Sequence, residues 1–180
     1  MVEKKNEVVI IDGGMLEGGG QLFRMSVALA YIFKRHVIIE KIRANRPKGG
    51  GLSNQHLTGL QAVVNMVPGC VASGVVKKSK TVNFNPKDKK ISRHEFLADC
   101  GTPGAVGLII QMLMPCLLFQ AKESCKLEIR GGTFVSMSPT VHPIKHVLLP
   151  HLKRMGLEVG LKVESNGFTP DVVGSAILDV

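Results

Sequence analysis

Apolar residues along the chain fall into short blocks whose spacing switches between two periods. Val8-Val9-Ile10-Ile11 is a continuous apolar run of strand length, and Val37 to Ile42 is another. Between them Leu22, Met25, Leu29 and Ile32 recur at three- and four-residue steps. That spacing predicts a helix from about Gly19 to Phe33 with this stripe facing inward. A second helix is expected after Ser53, a suitable N-cap residue, with Leu57, Leu60, Val64 and Val67 on its apolar face. Short strands near Cys70 to Val76 and Thr81 to Phe84 follow.

The same order then returns. A strand around Glu95 to Ala98 precedes Gly101-Thr102-Pro103-Gly104, which opens an apolar helix to about Phe119. Proline at an early helical position gives up an N–H that would have no partner anyway. Lys126 to Arg130 forms a strand, and Ile144 to Met155 a helix with Ile144, Val147, Leu148 and Leu152 inward. Leu157, Val159, Leu161 and Val163 alternate as a strand, and Ser175 to Val180 supplies a last one. The pattern is β-α-β-α-β-β, twice over, which predicts an α/β (α+β) architecture of helices packed on sheets. The repeats are expected to occupy 1–90 and 91–180, with the polar, Lys-rich segment Lys77 to Arg93 as the connector.

Composition fits that picture. Of 180 residues 44% are hydrophobic, and with no Trp, one Tyr and seven Phe the core must be aliphatic. A net charge of +9 favours an anionic partner, although Lys77, Lys78, Lys80, Lys87, Lys89 and Lys90 are equally what solvated loops contain. The cysteines, Cys70, Cys100, Cys116 and Cys125, show no C-x-x-C pair, which suggests a reducing compartment and neither zinc nor disulfides. The polar start, Met1 to Glu7, has no signal-peptide core. The longest apolar stretch, Val106 to Phe119, is interrupted by Gln111 and Pro115 and is too short to span a bilayer, so a soluble protein is expected.

Candidate chemistry concentrates in four segments. Asp12 to Arg24 places Gly18-Gly19-Gly20 at a strand-to-helix turn, where unobstructed N–H groups and a helix N-terminus attract anions, with Arg24 in reach of the same mouth. The segment lacks the Gly-Lys-Ser/Thr of a Walker loop, and a plain tight turn would also need glycine. Arg43, Arg46 and Lys48 fall within six residues at a strand end, ahead of Gly49-Gly50-Gly51 and a second helix start. This suits several phosphates, or a solvated basic loop. Gln111 interrupts an apolar helix and is either turned toward a site or bonded to neighbouring backbone. Arg130-Gly131-Gly132-Thr133 through Pro139 forms a ligand-facing rim or an ordinary turn. The six histidines show no metal-binding spacing, and each is expected to be a surface or capping residue.

Taken together, these segments resemble the RNA 3′-terminal phosphate cyclase family. The match lies in Glu17-Gly18-Gly19-Gly20-Gln21 with Arg24, in Ile42 to Lys48 with Gln55-His56-Leu57, and in Leu108 to Gln111, Met114 to Phe119, Gly131-Gly132-Thr133 and Pro139. The resemblance implies repeated βαβαββ units of the kind shared with enolpyruvyl transferases, plus a small inserted domain. It also implies ATP-dependent conversion of an RNA 3′-phosphate into a 2′,3′-cyclic phosphodiester through enzyme–AMP and RNA–AMP intermediates, with Mg²⁺ or Mn²⁺. Carried over by position, Glu17, Arg24, Arg43, Arg46 and Gln55 would line the phosphate and RNA-end site, and Gln111 and Pro139 would contact ATP. By resemblance the location is the nucleus, with the cytoplasm as alternative.

The resemblance also carries departures. Family members are about twice as long, and none of the six histidines matches the family's nucleophile, which lies in the part beyond this chain. The glycine loop at Lys48 to Gly51 is one residue longer than usual. The family pattern has Asn at Phe134, Asp-Tyr at His142-Pro143, and a triple glycine within Gly167 to Gly174, where an anion-binding turn is expected to be lost. Two readings result: a cyclase-family protein, of which this is a fragment or short isoform inactive alone, or a catalytically silent RNA-end and nucleotide-binding module. A small-molecule transferase ranks below both. Half of such a fold would leave apolar faces uncovered, so self-association is expected.

Overall fold

A computed structural model describes residues 7–46, 49–91, 94–121 and 123–180. The readings placed on the first six residues, Pro47, Lys48 and Arg93 lie outside them. In chain order the elements are β1 (Val9–Asp12), α1 (Gly20–Ile32), β2 (Val37–Glu40), α2 (Asn54–Met66), β3 (Val71–Ser73) and β4 (Val82–Asn85). They continue with β5 (Glu95–Asp99), α3 (Val106–Gln120), β6 (Lys126–Gly131), α4 (Val141–Pro143) running through a π-helical segment Ile144–Leu148 into α5 (Leu149–Arg154), β7 (Gly160–Ser165) and β8 (Gly174–Asp179).

The strands form two four-stranded sheets of identical design. One has the order β1-β2-β4-β3, the other β5-β6-β8-β7. In each, the first two strands are parallel and the remaining pairings antiparallel, with Val9 opposite Val37 and Glu95 opposite Lys126. A parallel pair needs a crossover helix, and α1 and α3 supply it. One continuous apolar core joins the two sheets. Its centre is α3, which packs against α1, α2, β6 and β8. An all-round apolar helix such as α3 is stable only when neighbours cover it on several sides. Pro115 sits inside α3, and the helix nonetheless runs on to Gln120.

Several inward faces differ from the sequence pattern. In α1 the buried stripe is Phe23, Val27, Ala28 and Tyr31, while Met25 and Leu29 are exposed and Leu22 and Ile32 half-buried. Both stripes are apolar, so periodicity alone could not choose between them. The choice falls to the stripe that meets α3. In α2, Leu60, Val63, Met66 and Val67 are buried and Leu57 and Val64 only half so. In the last helical rod Ile144 and Leu149 are buried but Val147 and Leu148 are exposed. The π-helical segment, in which the Leu149 N–H bonds the Ile144 carbonyl, adds one residue to the turn and rotates the pattern out of a 3.6-residue period.

Pro103 precedes α3 rather than occupying its first turn, because Ala105 is the N-cap. Leu157 and Val159 likewise precede β7. The Lys-rich segment is not simply a connector, since it contains β4, which lies between β2 and β3 in its sheet.

Candidate functional site

The site forms where the loops that follow the first two strands of each sheet meet. In the first sheet, the turn after β1 and the loop after β2 are laced together. The Asp12 carboxylate accepts from the Gly14 N–H and from Lys41 Nζ, each at 2.8 Å. Asn45 Nδ2 donates to the carbonyls of Gly14 (3.1 Å) and Leu16 (3.3 Å). Arg46 Nη2 then donates to Glu17 Oε1 at 3.2 Å, so the carboxylate and the guanidinium stand together over the start of α1.

Arg24 projects from α1 just beyond its first turn and is 8% exposed. Its partners are uncharged: Gln111 Oε1 on α3 at 3.4 Å and His56 Nε2 on α2 at 3.5 Å. Burial pulls the Arg24 pKa below its ordinary value. Arg43 adopts a left-handed backbone and donates from Nη1 to the Gly51 carbonyl at 2.8 Å. Its pKa is lowered by burial and then by the neighbouring charge of Arg46. Three guanidinium groups thus share one wall with one carboxylate, an arrangement that favours a multiply charged anion.

His56 completes that wall, and it is a correction to the expectation of a surface or capping residue. It is 2% exposed, in the first turn of α2. Its pKa falls to about 3, first through burial and then through the charges of Arg43 and Arg24, so the ring is neutral at physiological pH. A guanidinium can only donate, so His56 Nε2 is the acceptor and Nδ1 carries the proton toward Ser53 Oγ, 2.6 Å away. Ser53 is the N-cap residue, but its hydroxyl serves this imidazole instead of the helix N–H groups. The contact requires glycine at position 20, because a Cβ there would collide with His56 Nε2.

The second sheet supplies the facing wall. Gln55 Oε1 accepts from the Ala105 N–H at 3.0 Å, clamping the start of α2 to the start of α3. The loop after β6 is held by the Gly132 N–H on the Gly104 carbonyl (2.8 Å) and the Thr133 N–H on the Gly167 carbonyl (3.0 Å). It then passes over α3 so closely that a Cβ on Gly107 would strike the Pro139 carbonyl. Between the walls lies a cavity of about 510 Å³, and Glu17, Arg24, Arg43, Arg46, Gln55, Gln111 and Pro139 all line it. The structure therefore brings together all seven residues singled out from sequence. It adds His56, Leu108 and the loop Val135 to Ser138. Gln111 is turned toward the cavity, which settles one of the alternatives left open by its place in an apolar helix.

Aromatic rings from the loop after β6, the last helical rod and the turn after β7 also converge. Phe168 stacks on Phe134 with ring centroids 5.1 Å apart, Phe134 lies 5.2 Å from His142, and His142 stacks on His146 at 6.0 Å. Phe168, in the turn after β7, thus ends an aromatic ladder that runs through Phe134 and His142 to His146. Spacing alone did not reveal it, since the four rings come from three separate segments.

Sequence and fold agree with the comparison to known proteins. Residues 15–180 match the family model of RNA 3′-terminal phosphate cyclase, and the chain belongs to that family. Among curated relatives, the RNA 3′-terminal phosphate cyclase of Drosophila melanogaster is 40% identical over 170 residues, covering 94% of this chain and 46% of the relative. That of Methanosarcina acetivorans is 39% identical over 163 residues, 91% of this chain and 44% of the relative. A probable RNA 3′-terminal phosphate cyclase of Dictyostelium discoideum is 37% identical over 169 residues, 93% and 38%. The chain thus spans a little under half the length of these relatives. Among the described residues no helix is long and apolar enough to cross a membrane.

Proposed function

We propose that this chain forms the phosphate-gripping half of an RNA 3′-terminal phosphate cyclase. The whole protein would convert an RNA 3′-phosphate into a 2′,3′-cyclic phosphodiester at the expense of ATP. The observation that carries this reading is the cavity wall on which Arg24, Arg43 and Arg46 face one carboxylate, Glu17, with a neutral His56 behind them. The arginines would bind the terminal phosphate. Gln111 and the uncharged loop ending at Pro139 would receive the adenine nucleotide, whose base and ribose suit apolar and hydroxyl contacts. His56 is a positioning residue: it accepts from Arg24 and presents no free nitrogen to a substrate.

Glu17 is the only carboxylate on the described cavity wall, and no group of three His, Cys, Asp or Glu side chains converges among the described residues. A Mg²⁺ or Mn²⁺ here would be held by Glu17 together with the ligand's own phosphates, beside the arginines that meet the rest of the phosphate charge. The family's histidine nucleophile has no counterpart among the six histidines, so the chain alone is expected to bind without reacting. We infer that two repeats, about 1–90 and 91–180, make up this half, and that the complete protein works in the nucleus. Apolar groups exposed on β1, Ile10 (68%), and on α1 and its C-cap, Met25 (38%), Leu29 (44%) and Phe33 (67%), support self-association of the chain by itself.

Two measurements test the reading. RNA carrying a 3′-phosphate should bind more tightly than the same RNA with a 3′-hydroxyl, and Arg43→Ala or Arg46→Ala should erase the preference; equal binding of both ends would refute it. Incubation with ATP labelled on the α-phosphate, followed by a denaturing gel, should leave the chain unlabelled. A labelled band would show that a nucleophile is present after all.

A further inference from the structure

A second cavity, also of about 510 Å³, adjoins the first and shares Arg43, Gln55 and Val135 with it. Besides Arg43 its described lining includes Lys77 and Lys78 and no acidic residue. Both lysines fall in the stretch whose charge, by sequence, could equally have been solvated-loop lysine. Both remain exposed, but the backbone of their turn is fixed against the wall of this cavity. The Lys78 N–H bonds the Leu52 carbonyl at 2.9 Å and the Leu52 N–H bonds the Ser79 carbonyl at 3.0 Å. The lysine turn is therefore pinned to the segment that follows Arg43, and Gly51 is needed where that segment meets the Lys78 carbonyl. Polar side chains that can serve a sugar, Asn54 and Thr102, are joined to each other at 3.0 Å on the same lining.

We propose that this second cavity is the RNA track: it holds the phosphate on the 5′ side of the terminal nucleotide while the first cavity holds the 3′-phosphate. This rests on the reading of the first cavity given above. A terminal phosphate gripped by Arg24, Arg43 and Arg46 leaves its polynucleotide needing an exit. The Ser138–Pro139 side is assigned to the nucleotide. The wall shared through Arg43 is the other way out, and the cations continue along it.

The test compares adenosine 3′-monophosphate, which has one phosphate, with a 3′-phosphorylated diribonucleotide, which has two, on the 180-residue chain. The second phosphate should tighten binding on the order of 10-fold. Lys77→Ala combined with Lys78→Asn should abolish that gain and leave the monophosphate affinity unchanged. Asparagine is chosen because position 78 has φ of 67°, a left-handed conformation that asparagine tolerates. The slope of log affinity against log salt should also fall by about 0.7 for the lost phosphate contact. As a charge control, Lys126→Ala with Lys153→Ala should leave the gain intact. A gain that survives in the Lys77/Lys78 variant, or that the control pair removes equally, overturns the track. Failure of the first-cavity reading has a different signature: Arg46→Ala would leave adenosine 3′-monophosphate binding untouched.

Discussion

The two sheets share one strand order, yet the loops they send to the cavity differ in chemistry. The loop after β2 brings Arg43 and Arg46; the loop after β6, in the equivalent place, brings Val135, Ser136, Met137, Ser138 and Pro139 without a charge. The crossover helices repeat the contrast, Arg24 on α1 against Leu108 and Gln111 on α3. A duplicated topology can therefore place two loops face to face and give each a different chemistry. Charge gathers on the side built from the first repeat, and apolar and hydroxyl surface on the other.

Removing the charged side should cost most. Arg24→Gln is expected to weaken 3′-phosphate binding on the order of 100-fold, measured by calorimetry, because a buried guanidinium on a phosphate is hard to replace. Ser136→Ala, on the opposite wall, should change the same affinity only slightly. A comparable loss from both would dissolve the contrast between the walls. Gly20→Ala comes next, with about 1–3 kcal/mol of stability lost in urea melts as the new methyl displaces His56 and, through it, Arg24.

The pH dependence sharpens the comparison because it belongs to the first wall. His56 titrates near 3 when folded, against an ordinary value of 6.5. Between those values the unfolded chain binds the extra proton, so this stabilisation is complete above pH 6.5 and is lost as pH falls toward 3. The slope should approach about 1.4 kcal/mol per pH unit and flatten in His56→Gln. A smaller effect is expected on the second repeat, where Phe134→Asn should cost about 0.5–1.5 kcal/mol by breaking the ladder with Phe168 and His142. Smallest of all, Glu17→Gln should leave stability nearly unchanged, since its pair with Arg46 is exposed. It should also raise affinity for phosphate by freeing that guanidinium, and a drop would show that Glu17 acts otherwise.

Much of this was legible in the chain. Strand runs and helical spacing indicated the element order, because local periodicity reports which backbone a segment can adopt. Glycines at Gly18–Gly20 and arginines at strand ends marked candidate anion-binding segments, although each also had an ordinary turn or loop reading until the fold set them around one cavity. His56 was missed because, read alone, a histidine in the first turn of a helix looks exposed. Its burial depends on α1 crossing close enough, at Gly20, to cover it. Similarly, Lys77 and Lys78 resembled any loop lysines until the pairing of 51–52 with 78–79 set them beside Arg43.

By itself, then, the sequence determined the repeated βαβαββ order, which is written in local spacing, and through its resemblance the family and seven residues of the cavity lining. The tertiary structure decided which of two apolar stripes on α1 is buried, where the π-helical turn rotates Leu148 out of the core, and which rings stack into the ladder at Phe134. It also decided that the lysine turn borders the cavity. Each of these depends on what lies opposite in space, and a one-dimensional pattern of polar and apolar residues carries no record of that.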